Sequence, residues 1–179
     1  MIKEIQQSID LVRWALNSYV KGLFDVPQPK LTDPYFNEKA GVFVTLKKNG
    51  SLRGCIGIIQ PTDILARYII TSTRNSALND HRFPPVRSEE VDELEIEISI
   101  LSPPKESKLE DIEIVKHGLI VEGGNLSAVY LPQVATEIGW TFDQWLDSLC
   151  DKANLPTSYW KEKEAKFYTF TAQIINEKK

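Results

Sequence analysis

Residues 41–59, GVFVTLKKNGSLRGCIGII, constrain the fold more than any other stretch of this chain. Two runs rich in β-branched and apolar residues flank Asn49-Gly50. Asn-Gly accepts the positive φ values of a tight turn, so the segment predicts an antiparallel hairpin. Residues 117–131, HGLIVEGGNLSAVYL, repeat the pattern with Gly123-Gly124 supplying the turn. Each hairpin leads into a helical pattern, and each helix is followed by a further strand pattern. The expectation is an α+β fold of mixed or antiparallel sheets with flanking helices, and the matching order points to an internal structural duplication.

The remaining elements follow from periodicity. Ile2, Ile5, Ile9, Val12, Leu16 and Tyr19 recur every three or four residues, the stripe of an amphipathic helix. Gly22, Pro27, Pro29 and Pro34 mark a connector. After Pro61, Thr62 and Asp63 are placed to cap a helix reaching about Asn79. Residues 80–90 form a loop in which Pro84-Pro85 enforces extended backbone at Phe83. Leu94, Ile96, Ile98 and Ile100 alternate with Glu95, Glu97 and Ser99, the period of a strand with one buried face, ended by Pro103-Pro104. Thr141 and Gln144 stand in capping-box register before Phe142, Trp145, Leu146, Leu149 and Cys150, which share one helix side and place Cys150 in a core. Residues 166–175, KFYTFTAQII, read as one closing strand.

Composition narrows the function. Twenty-one Lys and Arg against 25 Asp and Glu leave a net charge of -4, which argues against a nucleic-acid partner because phosphate binding calls for a basic excess. Charges at Lys3, Glu4, Asp10 and Arg13 interrupt the apolar core a signal peptide needs, and no run is long enough for a membrane span. Cys55 and Cys150 lie far apart without framework spacing, so free thiols in a reducing compartment, the cytoplasm, are expected. Two Cys and two His without metal-ligand spacing predict no metal, and the absence of a phosphate-binding glycine loop predicts no nucleotide cofactor.

Several residues are candidates for chemistry. Cys55 is the nucleophile candidate, since a thiolate is stabilised by nearby positive charge, and on a regular strand Arg53 shares its face. The competing reading makes Cys55 a small buried residue in a crowded sheet whose glycines relieve steric pressure. Asp80 and Arg82 suit either a charged ligand or a mutual ion pair. Glu95 and Glu97 share a strand face and serve acid-base chemistry or solvation. His117 and His81 are candidate bases, with a turn role for a His before Gly as the alternative. Phe83 with Arg82 and Arg87 outlines a stacking patch, opposed by Glu89, Glu90, Asp92 and Glu93.

Six ordered blocks resemble the AMMECR domain family, called AmmeMemoRadiSam system protein A in prokaryotes. They are Leu52-Arg53-Gly54-Cys55-Ile56-Gly57, Asp80-x-Arg82-Phe83-Pro84-Pro85, the strand IEISILSPP, His117-Gly118-Leu119, LPQV at 131–134 with Trp140, and LCDKA at 149–153. The resemblance spans nearly the whole chain. It implies one domain over residues 1–179, made of two unequal, interleaved subdomains. The larger would hold both termini, and the cysteine motif would lie near a cleft between the two. It favours His117 over His81, which occupies the unspecified position of its block. It also implies association with a Memo-type protein and a radical-SAM enzyme. One departure is Asn154, where the family usually has glycine; Asn also accepts the left-handed conformation that ends a helix.

Two functions are therefore expected. In the first, the 52–57 strand and the loops around Asp80 and His117 bind a small molecule or protein segment. Were that cleft catalytic, Cys55 would act as nucleophile or redox thiol, Arg53 would stabilise its thiolate, Gly54 and Gly57 would admit substrate to backbone amides, and His117 would shuttle protons. In the second, the domain is a non-catalytic partner of Memo-type and radical-SAM proteins.

Overall fold

A computed structural model describes residues 2–177. Helix α1 spans Ile2–Tyr19, and the first hairpin follows as β1, Gly41–Lys48, and β2, Ser51–Ile58. Then come α2 (Leu65–Leu78), β3 (Glu95–Leu101), β4 (Lys105–Ser107), β5 (Gly118–Gly123), β6 (Leu126–Tyr130), α3 (Pro132–Ile138), α4 (Phe142–Lys152), β7 (Lys166–Phe170) and β8 (Ala172–Asn176). The chain divides into two compact units, one built from the chain up to Leu101 and again from Gln173 onward, the other from Ser102–Ala172.

The strands form two four-stranded antiparallel sheets, ordered β2-β1-β3-β8 and β4-β7-β5-β6. Reading the second from its other edge, β6-β5-β7-β4, reveals the same wiring. A hairpin supplies the edge strand and its neighbour, and the strand after the helix pairs with the first hairpin strand on its far side. The fold is α+β with a repeated connectivity.

Local chemistry explains the turns and caps. Asn49 and Gly50 both have positive φ, 52° and 73°, as a type I′ hairpin turn requires. In the second hairpin the turn is Gly124-Asn125, one residue later than expected, because Gly123 already pairs with Leu126. Thr141 accepts from the Gln144 amide while the Gln144 side chain accepts from the Thr141 amide, completing the capping box of α4. Asn154 follows α4 at φ 58°, the left-handed conformation expected there. At α2 the capping expectation is corrected. Ile64 occupies the N-cap without a side-chain bond, whereas Asp63 accepts from the adjacent Ile64 amide and pairs with Arg67.

Each unit has its own core. In the first, Leu11, Val12, Leu16, Val42, Val44, Leu46, Ile69, Ile96 and Ile98 bury the faces of α1, α2 and the sheet. Ile2 lies within α1, but its side chain falls outside the described part. Arg13 donates to the Val91 and Leu94 carbonyls, both at 2.8 Å, and pairs with Glu177, tying the helix to the residue that follows the last strand of its sheet. In the second unit, Leu119, Val121, Trp145, Leu146, Leu149, Cys150 and Phe167 pack together, which puts Cys150 in a core.

The single closing strand read from residues 166–175 is two strands. β7 belongs to the second sheet and β8 to the first, with Thr171 between them. Its uninterrupted β-rich composition contains no turn residue, so nothing local announces the change of sheet.

Candidate functional site

The LRGCIG segment lies on β2, an edge strand of the first sheet. A register shift between Leu46 and Lys47 leaves Leu46 opposite Gly54 and Lys47 opposite Leu52, so Arg53 is the extra residue of a bulge. Strict alternation fails there, and the expectation that Arg53 sits beside the Cys55 sulfur rested on alternation. The glycines are consumed by packing. A Cβ on Gly54 would lie 2.0 Å from the Ser76 carbonyl oxygen of α2, and one on Gly57 would lie 2.3 Å from the Val42 carbonyl oxygen of β1. The space expected to admit substrate is filled by backbone. Ser76 exploits the approach, since its Oγ accepts from the Ile56 amide and donates to the Val44 carbonyl, both at 2.7 Å.

Cys55 is held by its backbone. Its amide donates to Asp80 Oδ2 at 2.9 Å, and its carbonyl accepts from Arg82 at 3.0 Å. Asp80 and Arg82 thus occupy the outward hydrogen-bonding groups of an edge strand, as a neighbouring strand would. The Asp80 side chain is 1% exposed and also receives Arg82 Nη2 at 2.7 Å and Nε at 2.9 Å. Arg82 in turn, 47% exposed, lies over the Phe83 ring at 5.5 Å. The guanidinium holds the Asp80 carboxyl well below the usual carboxylate range, against the opposing effect of burial.

The Cys55 thiol is half-buried and accepts from Thr45 Oγ1 at 3.2 Å. Burial pushes its pKa up, and the bond from Thr45 and the charge of Arg82 only partly offset that. The cation that acts on the sulfur is Arg82 rather than Arg53. An upward shift favours the neutral thiol, the reverse of an activated nucleophile.

Arg53 grips the loop that follows α2. It donates to the Pro84 carbonyl at 2.8 Å and the Pro85 carbonyl at 3.2 Å, and its Nε and Nη2 reach both oxygens of Glu90 at 3.2 and 3.0 Å. Glu90 also accepts from the Arg87 amide and from Lys48. Together these donors, Arg53 foremost, lower the Glu90 pKa to about 2. Beside this network opens a surface depression of about 480 Å³ lined by Lys48, Arg53, Pro84, Pro85, Arg87, Glu89, Glu90 and Glu93.

His117 belongs to the second unit, where its Nδ1 accepts from the Glu113 amide at 3.1 Å, the local turn role. His81 is exposed on the loop. Glu97 pairs with Lys47 at 3.0 Å, a cross-strand contact of the first sheet. Among the described residues, no group of three or more His, Cys, Asp and Glu is placed to hold a metal ion. None of their helices is long and apolar enough to cross a membrane.

Ser76, Thr45 and Glu90 were missed by sequence reasoning. Nothing marks a helical serine or a strand threonine as structural. Glu90 was read only as part of an acidic run, although its spacing of three from Arg87 is the register at which a side chain returns to an N-terminal amide.

The comparisons with known proteins agree with this architecture. A protein of Methanothermobacter thermautotrophicus is 38% identical over 176 residues, covering 94% of this chain and 92% of its own. Protein PH0010 of Pyrococcus horikoshii is 41% identical over 180 residues, covering 94% and 87%. The crystal structure of PH0010, described as an uncharacterized protein, superposes with a TM-score of 0.86 at 40% identity, covering 93% of this chain and 88% of that one. The sequence model of the AMMECR1 family matches residues 9–175, and the chain belongs to that family.

Proposed function

We propose that the chain works by binding, as a partner domain that presents its 80–90 loop, rather than by covalent catalysis at Cys55. The observation behind this reading is the interlock of the two sequence blocks. Arg53 holds both proline carbonyls, the Cys55 backbone holds Asp80 and Arg82, and Gly54 and Ser76 hold α2 against the strand. The motif is spent on rigidity, and what it makes rigid is an exposed surface bearing His81, Arg82, Pro84, Pro85 and Arg87. A preorganised loop loses little entropy on docking. The raised thiol pKa of Cys55 supports the same reading.

Memo-type and radical-SAM proteins are the proposed partners. Pull-down of each by the purified chain should be lost with Arg82→Glu and with His81→Glu, which alters the exposed loop without touching the Asp80 clamp. Thermal melting checks that both variants fold. Cys55→Ser and thiol alkylation should leave capture intact. Capture that depends on Cys55 and ignores His81 and Arg82 would overturn the reading and restore the cysteine-centred one.

A further inference from the structure

Resting on the reading of the 80–90 loop as a binding surface, the geometry points to a second, small-molecule function for the same face. We propose that the depression between Lys48, Arg53, Arg87 and Glu89 binds a small zwitterion of the amino-acid or dipeptide class.

The inference comes from counting donors and acceptors. Glu90 is saturated, since its Oε1 accepts from Lys48 and Arg53 Nε and its Oε2 from Arg53 Nη2 and the Arg87 amide. The cations around it are not. An ammonium has three donors, and Lys48 spends two of them, on Glu90 and Glu93. A guanidinium has five, and Arg53 spends four, on Glu90, Pro84 and Pro85. The exposed Arg87 side chain forms no ion pair or hydrogen bond among the described residues, and the same holds for the Glu89 carboxylate.

The depression therefore offers unspent donors from three cations and one unspent carboxylate, beside an apolar wall of Pro84 and Pro85. Three basic and three acidic side chains line it. A polyanion would meet Glu89, Glu90 and Glu93, and a polycation would meet Lys48, Arg53 and Arg87. A ligand carrying one carboxylate and one ammonium satisfies both unspent sets without leaving either charge unmatched. The volume of about 480 Å³ falls within the range of small-ligand pockets. Arg53 is 13% exposed and braced from several sides, so its remaining donor is presented in a fixed direction.

The test is a ¹H–¹⁵N NMR titration of the whole chain with a mixture of free dipeptides at millimolar concentration. It is repeated with C-amidated and with N-acetylated mixtures. Free dipeptides should shift the amides of residues 86–90, and blocking either end should weaken binding about tenfold or more. Arg87→Ala should abolish the preference for a free carboxylate, and Glu89→Gln the preference for a free ammonium. Both are exposed side chains whose replacement leaves the Glu90 network whole. Absent shifts at 86–90, equal response to blocked and free mixtures, or indifference to both substitutions would each overturn the proposal. A negative titration with a positive pull-down removes the zwitterion site alone.

Discussion

The two units share one wiring and protect the same vulnerable place in different ways. In each, the second hairpin strand is the sheet edge, and the helix region that follows supplies a side chain to cap it. At β2, Asp80 takes the Cys55 amide and Arg82 takes its carbonyl, so both outward groups are satisfied. At β6, Lys152 reaches the Val129 carbonyl at 2.9 Å, while its ammonium rests 4.4 Å from the centre of the Tyr130 ring. The helix contact differs as well. In the first unit α2 meets β2 backbone to backbone through Gly54. In the second, Trp145, Leu146 and Leu149 of α4 fill the space with side chains. A repeated topology thus carries a rigid, polar edge in one copy and an ordinary apolar packing in the other. The candidate binding surface stands on the rigid one.

Substitutions that add volume should separate the units most. Gly54→Ala drives a methyl into the Ser76 carbonyl and should cost about 3 kcal/mol or more, because backbone must move. Gly123→Ala in the second hairpin comes nearest to the Tyr159 and Leu155 side chains rather than to backbone and should cost about 1 kcal/mol. Equal losses in denaturant unfolding would mean that the backbone contact is no more rigid than side-chain packing.

Removing the edge caps should come next. Asp80→Ala strands a guanidinium and the Cys55 amide, and a loss of about 2 to 3 kcal/mol is expected. Lys152→Ala removes an exposed donor and should cost less than about 1 kcal/mol. Hydrogen exchange at the Cys55 amide should accelerate in the first variant and stay slow in the second.

Acid should weaken the first unit through Glu90. Its folded pKa is depressed from 4.5 to about 2, so the folded state binds fewer protons than the unfolded chain in that window. Its stabilising effect is complete above pH 4.5 and is lost as pH falls toward 2, by about 1 to 2 kcal/mol after solvent screening. Asp80, held even lower by Arg82, should act in the same direction at more acid pH. Arg53→Met should flatten the slope between pH 4.5 and 2, measured by chemical unfolding at each pH. An unchanged slope would assign the acid response to other carboxylates.

The smallest effect belongs to the second unit. Asn154→Gly should stabilise by less than about 1 kcal/mol, because glycine adopts φ 58° without strain and the helix end is otherwise unchanged. A loss would show that the Asn154 side chain itself contributes.

Most of the secondary structure was legible because its signals are local. Asn49-Gly50, the Thr141–Gln144 box and the Asn154 helix end each depend on a few adjacent residues, and each is found as read. The division of residues 166–175 between two sheets was not legible, since partner choice leaves no trace in strand composition. The site divided along the same line. Asp80 and Arg82 were visible as a pair of opposite charges two residues apart. The bulge that turned Arg53 away from Cys55 and toward Pro84, Pro85 and Glu90 was not, because a bulge is defined by the register of two strands rather than by one.

Sequence alone determined the α+β class, the two hairpins, the core position of Cys150 and the membership blocks. All rest on periodicity, turn chemistry or residue order within short segments. Tertiary structure decided what the glycine-rich motif packs against. Whether a glycine opens a path for substrate or for a helix depends on what lies across from it, and here Ser76 lies across from Gly54. Whether a cysteine is a nucleophile depends on the balance of burial against neighbouring charge, which at Cys55 favours the thiol.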